Sequence, residues 1–421
     1  MPINVRYLAI IQLKNGIDKY WRKTAANAVS KDERALIRSR LLSSGFSEID
    51  RRLLLQNALM TAKIVRFEYP NDWPDALTQI IGALRPAAEA YEDFNHLSGA
   101  LLMLLYIVKE LSTARLQSKR ASLQAVSPEI LHVLGRIFIT RLEVWKQQLS
   151  VGGADVDPRV LNALEQSLLS IKILRRLVVA GYAFPNRDKD VQEFWVVIRN
   201  QLGSMLNISV PWPQCQKIIE KHQMQFAKFH LDMAQTHPAA FVLLPDSLSL
   251  VADYWGLITK FGESYGARSP VTSSSKIGAD GDADDERPLI ERLSLKGLLL
   301  VRACVKMVFN PAQTFKYRQP QEKEEKKQAT DLLKQQLLTE AFVKQAMEIT
   351  VTRFFVMRAA DLKEWEDEPE EWEKREEAEG EGFEYSIRAC AEKLFMDLAI
   401  NFKALLIEPL LNVFYSVACE Y

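Results

Sequence analysis

From residue 3 to residue 418 the chain reads as helical stretches parted by short polar breaks, and that succession limits the fold more than any other feature. Apolar residues recur at helical spacing over 3–23, 31–43, 47–67, 73–84, 90–119, 128–149, 158–181, 188–207, 213–236, 248–263, 289–309, 327–364 and 384–418. Nothing between these stretches requires a strand. Glycine, 17 in 421 residues, is about 4% against a typical ~7%, too sparse for a sheet-rich chain with many tight turns. An all-α fold is predicted.

Three helix starts carry capping chemistry: Ser47 with Asp50 three residues on, Ser127 before Pro128, and Asp157 before Pro158, where the N–H that proline lacks would be unpaired in any case. The stretches pair as 31–43 with 47–67, 73–84 with 90–119, and 128–149 with 158–181. That spacing is near the ~40 to 47 residues of HEAT-type helical hairpins, so the chain reads as a stacked α-solenoid. Two segments interrupt it. The Ser-, Gly- and Asp-rich 264–288 has too little apolar surface to fold and reads as a disordered loop. The stretch 361–384 holds thirteen acidic residues against Lys363, Lys374 and Arg375, a net of −10, and reads as an acidic loop in which Trp365 and Trp372 suggest a docking role. Repeats are accordingly expected over 25–263 and 289–421.

Charge gives no global pull, since 54 Lys and Arg equal 54 Asp and Glu, and direct nucleic-acid binding is not expected. Regionally, basic residues gather late in every second helix: Lys14, Lys19 and Arg22; Lys63 and Arg66; Lys109, Arg115, Lys119 and Arg120; Lys172, Arg175 and Arg176. Either second helices share a basic stripe on one side of the solenoid, or Lys and Arg simply favour helix C-termini through the macrodipole. The apolar run 100–108 stops at Lys109, short of the ~18 residues of a membrane span, and four dispersed cysteines make no C-x-x-C pair. A soluble intracellular protein without membrane insertion is expected.

Catalytic chemistry finds little support. The GESYG at 262–266 matches a nucleophile elbow around Ser264, but a helical pattern precedes it, a loop-like run follows, and no histidine lies beyond His237. His96, His132, His222, His230 and His237 form no i, i+4 pair, and neither phosphate-cradling glycine motif is present. No catalytic residue, metal or cofactor is predicted, and the chain is read as a non-enzyme.

The stretch 4–21, NVRYLAIIQLKNGIDKYW, resembles the second half of the importin-beta N-terminal domain through Val5, Arg6, Ala9, Leu13, Lys14, Asn15 and Trp21. EYPNDWPDAL at 68–77, YIVKELSTARL at 106–116 and LKEWEDEPEEWE at 362–373 add to the likeness, and the run of the chain is most similar to the importin eleven type. The resemblance implies a superhelical arch of HEAT repeats that carries protein cargo with basic signals, meets the phenylalanine–glycine repeats of the nuclear pore, and shuttles between cytoplasm and nucleus through the nuclear envelope. It further implies that the second helices of the first repeats bind Ran-GTP, with Arg6, Lys14, Asn15, Lys19, Arg66, Lys109 and Arg115 as the contact residues. Asn15 would brace a neighbouring turn and Gly16 would admit a facing helix. Trp365, Glu366, Asp367, Glu370 and Glu371 would form an acidic contact to a basic patch. Against the family pattern, residues 1–24 supply only the second helix of a first repeat, so the chain reads as truncated at both ends and the apolar side of 3–23 is expected to be uncovered. The reading from another class is an α-solenoid scaffold that assembles proteins without GTPase control.

Overall fold

The computed structural model describes residues 2–89, 94–114, 117–151, 157–266, 287–309 and 320–419, and every regular element in it is helical. The α-helices are α1 (Ile3–Tyr20), α2 (Lys31–Phe46), α3 (Arg51–Glu68), α4 (Ala76–Glu89), α5 (Phe94–Ser112), α6 (Gln117–Val151), α7 (Pro158–Gly181), α8 (Lys189–Leu206) and α9 (Pro213–Thr236). They continue as α10 (Pro238–Leu243), α11 (Ser247–Tyr265), α12 (Leu289–Phe309), α13 (Pro320–Leu332), α14 (Glu340–Ile349), α15 (Ala359–Asp367), α16 (Pro369–Glu381), α17 (Ile387–Asn401) and α18 (Lys403–Cys419). The chain divides into two compact units, Met1–Phe194 with Gly203–Gln225, and Trp195–Leu202 with Phe226–Tyr421.

In the first unit the paired stretches form hairpins stacked in two layers. The second helices pack in series, α1 on α3, α3 on α5 and α5 on α7, while α2, α4 and α6 lie along the other side. Each helix buries an apolar stripe: Leu53, Ile64 and Val65 of α3, Leu101, Leu104 and Val108 of α5, and Leu164, Ile171 and Leu174 of α7 are all less than a tenth exposed. Where α2 crosses α5 the backbones nearly touch. A Cβ on Gly99 would meet Gly45 O at 3.0 Å and the Phe46 Cα at 3.2 Å, and neither is the end of a side chain that could swing away.

Capping shows where local signals compete. Asp157 starts α7 as expected, its carboxylate accepting from Arg159 N at 2.8 Å. Asp50, not Ser47, caps α3, accepting from Arg52 N and Leu53 N, whereas Ser47 closes the end of α2. Ser127 caps nothing: α6 runs on through Pro128, and buried Ser127 donates to Leu123 O at 2.8 Å from the middle of the helix. Leu123, Ile130 and Leu134, all buried on one side, carry the helix across a proline that costs about 3 kcal/mol in a helix interior. A capping box at Ser30, whose hydroxyl accepts from Glu33 N while Glu33 accepts from Ser30 N, opens α2.

In the second unit α11 packs on α12 and α12 on α17, with α14 against α17 and α18. The stretch read as a single helix over 327–364 breaks twice. Leu338 N–H bonds to Leu333 O at 2.8 Å and Phe355 N–H to Thr350 O at 3.2 Å, each a wide turn that closes one helix before the next begins. The 384–418 stretch also breaks, at Phe402, whose ring meets Phe309 edge-on at 5.0 Å. Most of the segment expected to be a disordered loop, 267–286, lies outside the described residues, and its first residues, Ser264 and Tyr265, belong to α11. Ser264 Oγ donates to Phe261 O at 3.2 Å within that helix, so GESYG forms no strand-to-helix elbow.

Each unit buries one neutral histidine. In the first, His222 accepts at Nε2 from Ser167 Oγ (2.8 Å) and bonds Ile218 O through Nδ1 (2.9 Å), beside Trp145. Burial, aided by the nearby Lys172 and Lys146 charges, pushes its pKa down to about 4. In the second, His230 bonds the Tyr254 hydroxyl at 3.0 Å, and burial with the Arg199 charge pushes it to about 3. Below the ordinary 6.5 the unfolded chain takes up protons that these folded sites refuse, so stability falls as pH drops from 6.5 toward 4. The urea midpoint is expected to decrease steadily between about pH 6.5 and 5, with a slope approaching two protons at the acid end; a flat profile contradicts the burial. Gly99→Ala is expected to cost about 1–3 kcal/mol in the same urea titration through overpacking against backbone.

Candidate partner-binding surfaces

Because α1, α3 and α5 lie side by side, polar residues one turn apart on each reach those on the next. Lys14 of α1 donates Nζ to Gln56 Oε1 of α3 at 2.6 Å. One turn on, Asp18 pairs with Lys63 of α3, and Arg22, just past the helix, lies over the Phe67 ring at 5.7 Å. Arg66 of α3 reaches Glu110 of α5 at 3.4 Å, and Lys109 sits 5.9 Å from the Tyr106 centroid. Arg6 pairs with Glu48 at the turn between α2 and α3, and Arg51 extends the lacing to Glu165 of α7 at 2.8 Å. Lys14, Lys63, Arg66 and Lys109 are thus brought onto one layer, whereas Lys119 and Arg120, expected late in a second helix, open α6 on the other side, and the stripe is not purely basic. Asp18, Glu110 and Glu165, which a count of Lys and Arg ignores, answer the cations in register.

Lys19 is exposed and makes no ion pair among the described residues. Arg115 lies outside the described residues. Asn15 is exposed and its side chain makes no hydrogen bond among them, so it braces no turn. A Cβ on Gly16 would meet only Tyr20 Cδ2, at 3.8 Å, an ordinary contact, so no facing helix presses on that glycine. Asn15 is exposed and Gly16 only partly covered, while buried Ile17 and Trp21 lie beside them. Leu8 and Val5 of α1 are 63% and 46% exposed, whereas Ile17 is buried.

Sequence reasoning missed the group that holds this layer together. Glu68, only 3% exposed at the end of α3, accepts from Trp21 Nε1 at 3.1 Å and from Arg38 Nη1 at 2.6 Å, and Arg38 also donates to Asp72 O at 2.9 Å. The signal was available: Glu68 falls one turn past Ile64 and two past Met60, an acid on an otherwise apolar face.

The acidic stretch read as a loop is two helices. α15 and α16 pack on each other and present Glu366, Asp367, Glu370 and Glu371 to solvent, with Trp365 half exposed beside them. Glutamate is a good helix former, and Pro369 fits the first turn of α16, so the composition that suggested disorder also permits this pair. Asp361, near the start of α15, is the exception to the exposure. It is 4% exposed and accepts from Arg358 N (2.9 Å), Arg358 Nε (3.0 Å), Arg358 Nη2 (3.2 Å) and Arg388 Nη2 of α17 (2.7 Å). Burial alone would raise its pKa, but the Arg358 bonds and the two guanidinium charges outweigh it and hold the carboxyl below its ordinary value.

Comparison with known proteins agrees with this geometry. Residues 1–46 match the model of the importin-beta N-terminal domain. Importin beta-like protein KAP120 of Saccharomyces cerevisiae is 30% identical over 412 residues, 97% of this chain and 37% of that protein. Human importin-11 is 27% identical over 422 residues, 99% of this chain and 39% of its own length. The solved structure of Lph2, described as a bidirectional nuclear transport receptor in S. cerevisiae, superposes with a TM-score of 0.79 at 27% identity over 98% of this chain and 38% of that one. The chain therefore spans less than half the length of the relatives it matches.

Since nothing within the chain requires Gly16, Gly16→Ala is expected to stabilise the first unit by about 0.5–1 kcal/mol through helix propensity. A urea titration reads this directly, and a loss of stability would show a close approach that the structure does not contain.

Proposed function

We propose that this chain, which belongs to the importin-beta family of nuclear transport receptors, contributes the Ran-GTP-binding and part of the cargo-binding surface of such a receptor. The observation that carries the reading is the laced layer of α1, α3 and α5, which begins inside the segment matching the importin-beta N-terminal domain. Arg6, Lys14, Asn15, Lys19, Arg66, Lys109 and Arg115 are the proposed GTPase contacts, and Asn15 and Lys19, exposed and without internal partners among the described residues, are those a partner reaches first. Trp365 with Glu366, Asp367, Glu370 and Glu371 is the proposed contact for a basic segment of cargo or GTPase. In this reading cargo binds in the cytoplasm and is released when Ran-GTP occupies the N-terminal layer, with coupling that acts equally in both directions. Passage through the pore would use phenylalanine–glycine repeats. No bond is made or broken by the chain, so the activity is binding alone.

The internal pairing of several of these cations favours one competing reading, a scaffold that needs no GTPase, and nucleotide dependence separates the two. The purified chain is expected to bind Ran loaded with GTP and not with GDP at about 0.15 M salt, where the Debye length is ~8 Å and loose charge attraction is screened. Lys14→Glu, which reverses a charge and breaks the Gln56 contact, is expected to weaken GTP-form binding by about tenfold, or ~1.4 kcal/mol. Equal binding to both nucleotide forms would establish the scaffold.

A further inference from the structure

The acidic helix pair carries a charge problem that the rest of the fold must solve. Its exposed carboxylates Glu366, Asp367, Glu370, Glu371 and Glu373 repel one another, and none forms an ion pair among the described residues. The helices pack chiefly on each other, so little apolar contact holds them to the second unit. Both ends, however, are gripped by arginines. At the start, Asp361 is enclosed by Arg358 and by Arg388 of α17. At the end, the Arg302 guanidinium of α12 lies 4.4 Å from the Phe383 centroid while bonding Asp397 of α17 at 2.6 Å, and Arg287 donates to Tyr385 O at 2.6 Å.

The two grips differ in kind. Phe383 and Tyr385 are held through a ring face and a backbone carbonyl, contacts that a small slide of the chain can survive. Asp361 accepts four bonds in one buried site, and a planar, forked guanidinium tolerates little displacement. Removing one partner of such a site leaves buried charge uncompensated, so it is occupied or broken with little between.

We propose that Asp361 is a latch: its buried pairing with Arg358 and Arg388 fixes α15 and α16 as one rigid, outward-facing arm, so that the exposed carboxylates and Trp365 are presented in a set orientation instead of as a floppy acidic tether. Asp361 is a positioning residue, since at 4% exposure it cannot itself meet a partner. The arm's proposed use rests on the acidic-contact reading given above, in which its ligand is a lysine- or arginine-rich segment. Rigid presentation favours such a ligand by reducing the ordering lost on binding.

The latch is tested without any ligand by amide hydrogen exchange on the whole chain. Asp361→Asn is expected to speed exchange over 362–381 at least tenfold while α3, α5 and α12 exchange as before. Arg388→Lys, which keeps the charge and loses the fork, is expected to do the same to a smaller degree. Unchanged exchange over 362–381 in both variants overturns the proposal, and so does a loss of protection spread evenly over the second unit, which would mark Asp361 as a general core residue. Binding of an oligolysine peptide is then measured by the emission of the arm's tryptophans, and Asp361→Asn is expected to weaken it several-fold, although that carboxylate is out of the peptide's reach. If the unaltered chain fails to bind oligolysine while the exchange result holds, the acidic-contact reading falls and the latch stands.

Discussion

A carboxylate taken out of water must find charged and hydrogen-bonding partners or cost several kcal/mol, and Glu68 finds them from two directions. Trp21 brings the end of α1 to it, Arg38 brings the middle of α2, and the guanidinium continues to the Asp72 carbonyl in the turn before α4. Apolar packing alone would leave these helices free to slide by a fraction of a turn. The Glu68 knot sets one register, because its hydrogen bonds are short and directional where contacts between methyl groups are not. Lys14 can face Gln56, and Asp18 can face Lys63, only in that register.

The laced layer that results keeps a positive excess, since α1, α3 and α5 hold eight Lys and Arg against three Asp and Glu, but several of its cations are already paired across the helices. Exposed pairs of this kind add little stability, typically 0–1 kcal/mol each, so their presence says more about what the surface can recognise than about what holds it up. A partner must offer charges in matching order, since each cation it displaces leaves a carboxylate to satisfy. Such a surface discriminates by arrangement as well as by its local positive charge, although the acidic and basic residues of the whole chain cancel.

The helical hairpins were legible because apolar periodicity survives averaging over long stretches, and the pairing of 31–43 with 47–67 and of 128–149 with 158–181 appears in the stacking of α2 on α3 and α6 on α7. Boundaries were less legible where two local signals compete. Ser127 beside Pro128 looks like a helix start, yet burial on either side overrides it, and Ser47 with Asp50 offers two caps of which the carboxylate takes the helix. The acidic stretch misled for a different reason. Composition measures how much a segment can bury, but α15 and α16 are anchored by Asp361, a single buried charge whose partner Arg388 is 27 residues away. Lys14, Lys63, Arg66 and Lys109 follow the period of the second helices, whereas Lys119 and Arg120 break it by opening α6. Asp18 and Glu110 were not legible, because a partner across a helix interface leaves no mark in its own neighbourhood of the sequence.

The exposed carboxylates of the acidic arm also bear on the speed of encounter. Their field is damped over about one Debye length, ~8 Å at physiological ionic strength, so it acts before contact and fades once the charges are paired. An arm of this kind shapes how often a basic partner arrives more than how long it stays. Lifetimes would be set elsewhere, by apolar anchors such as the half-exposed ring of Trp365, which ions in solution screen hardly at all.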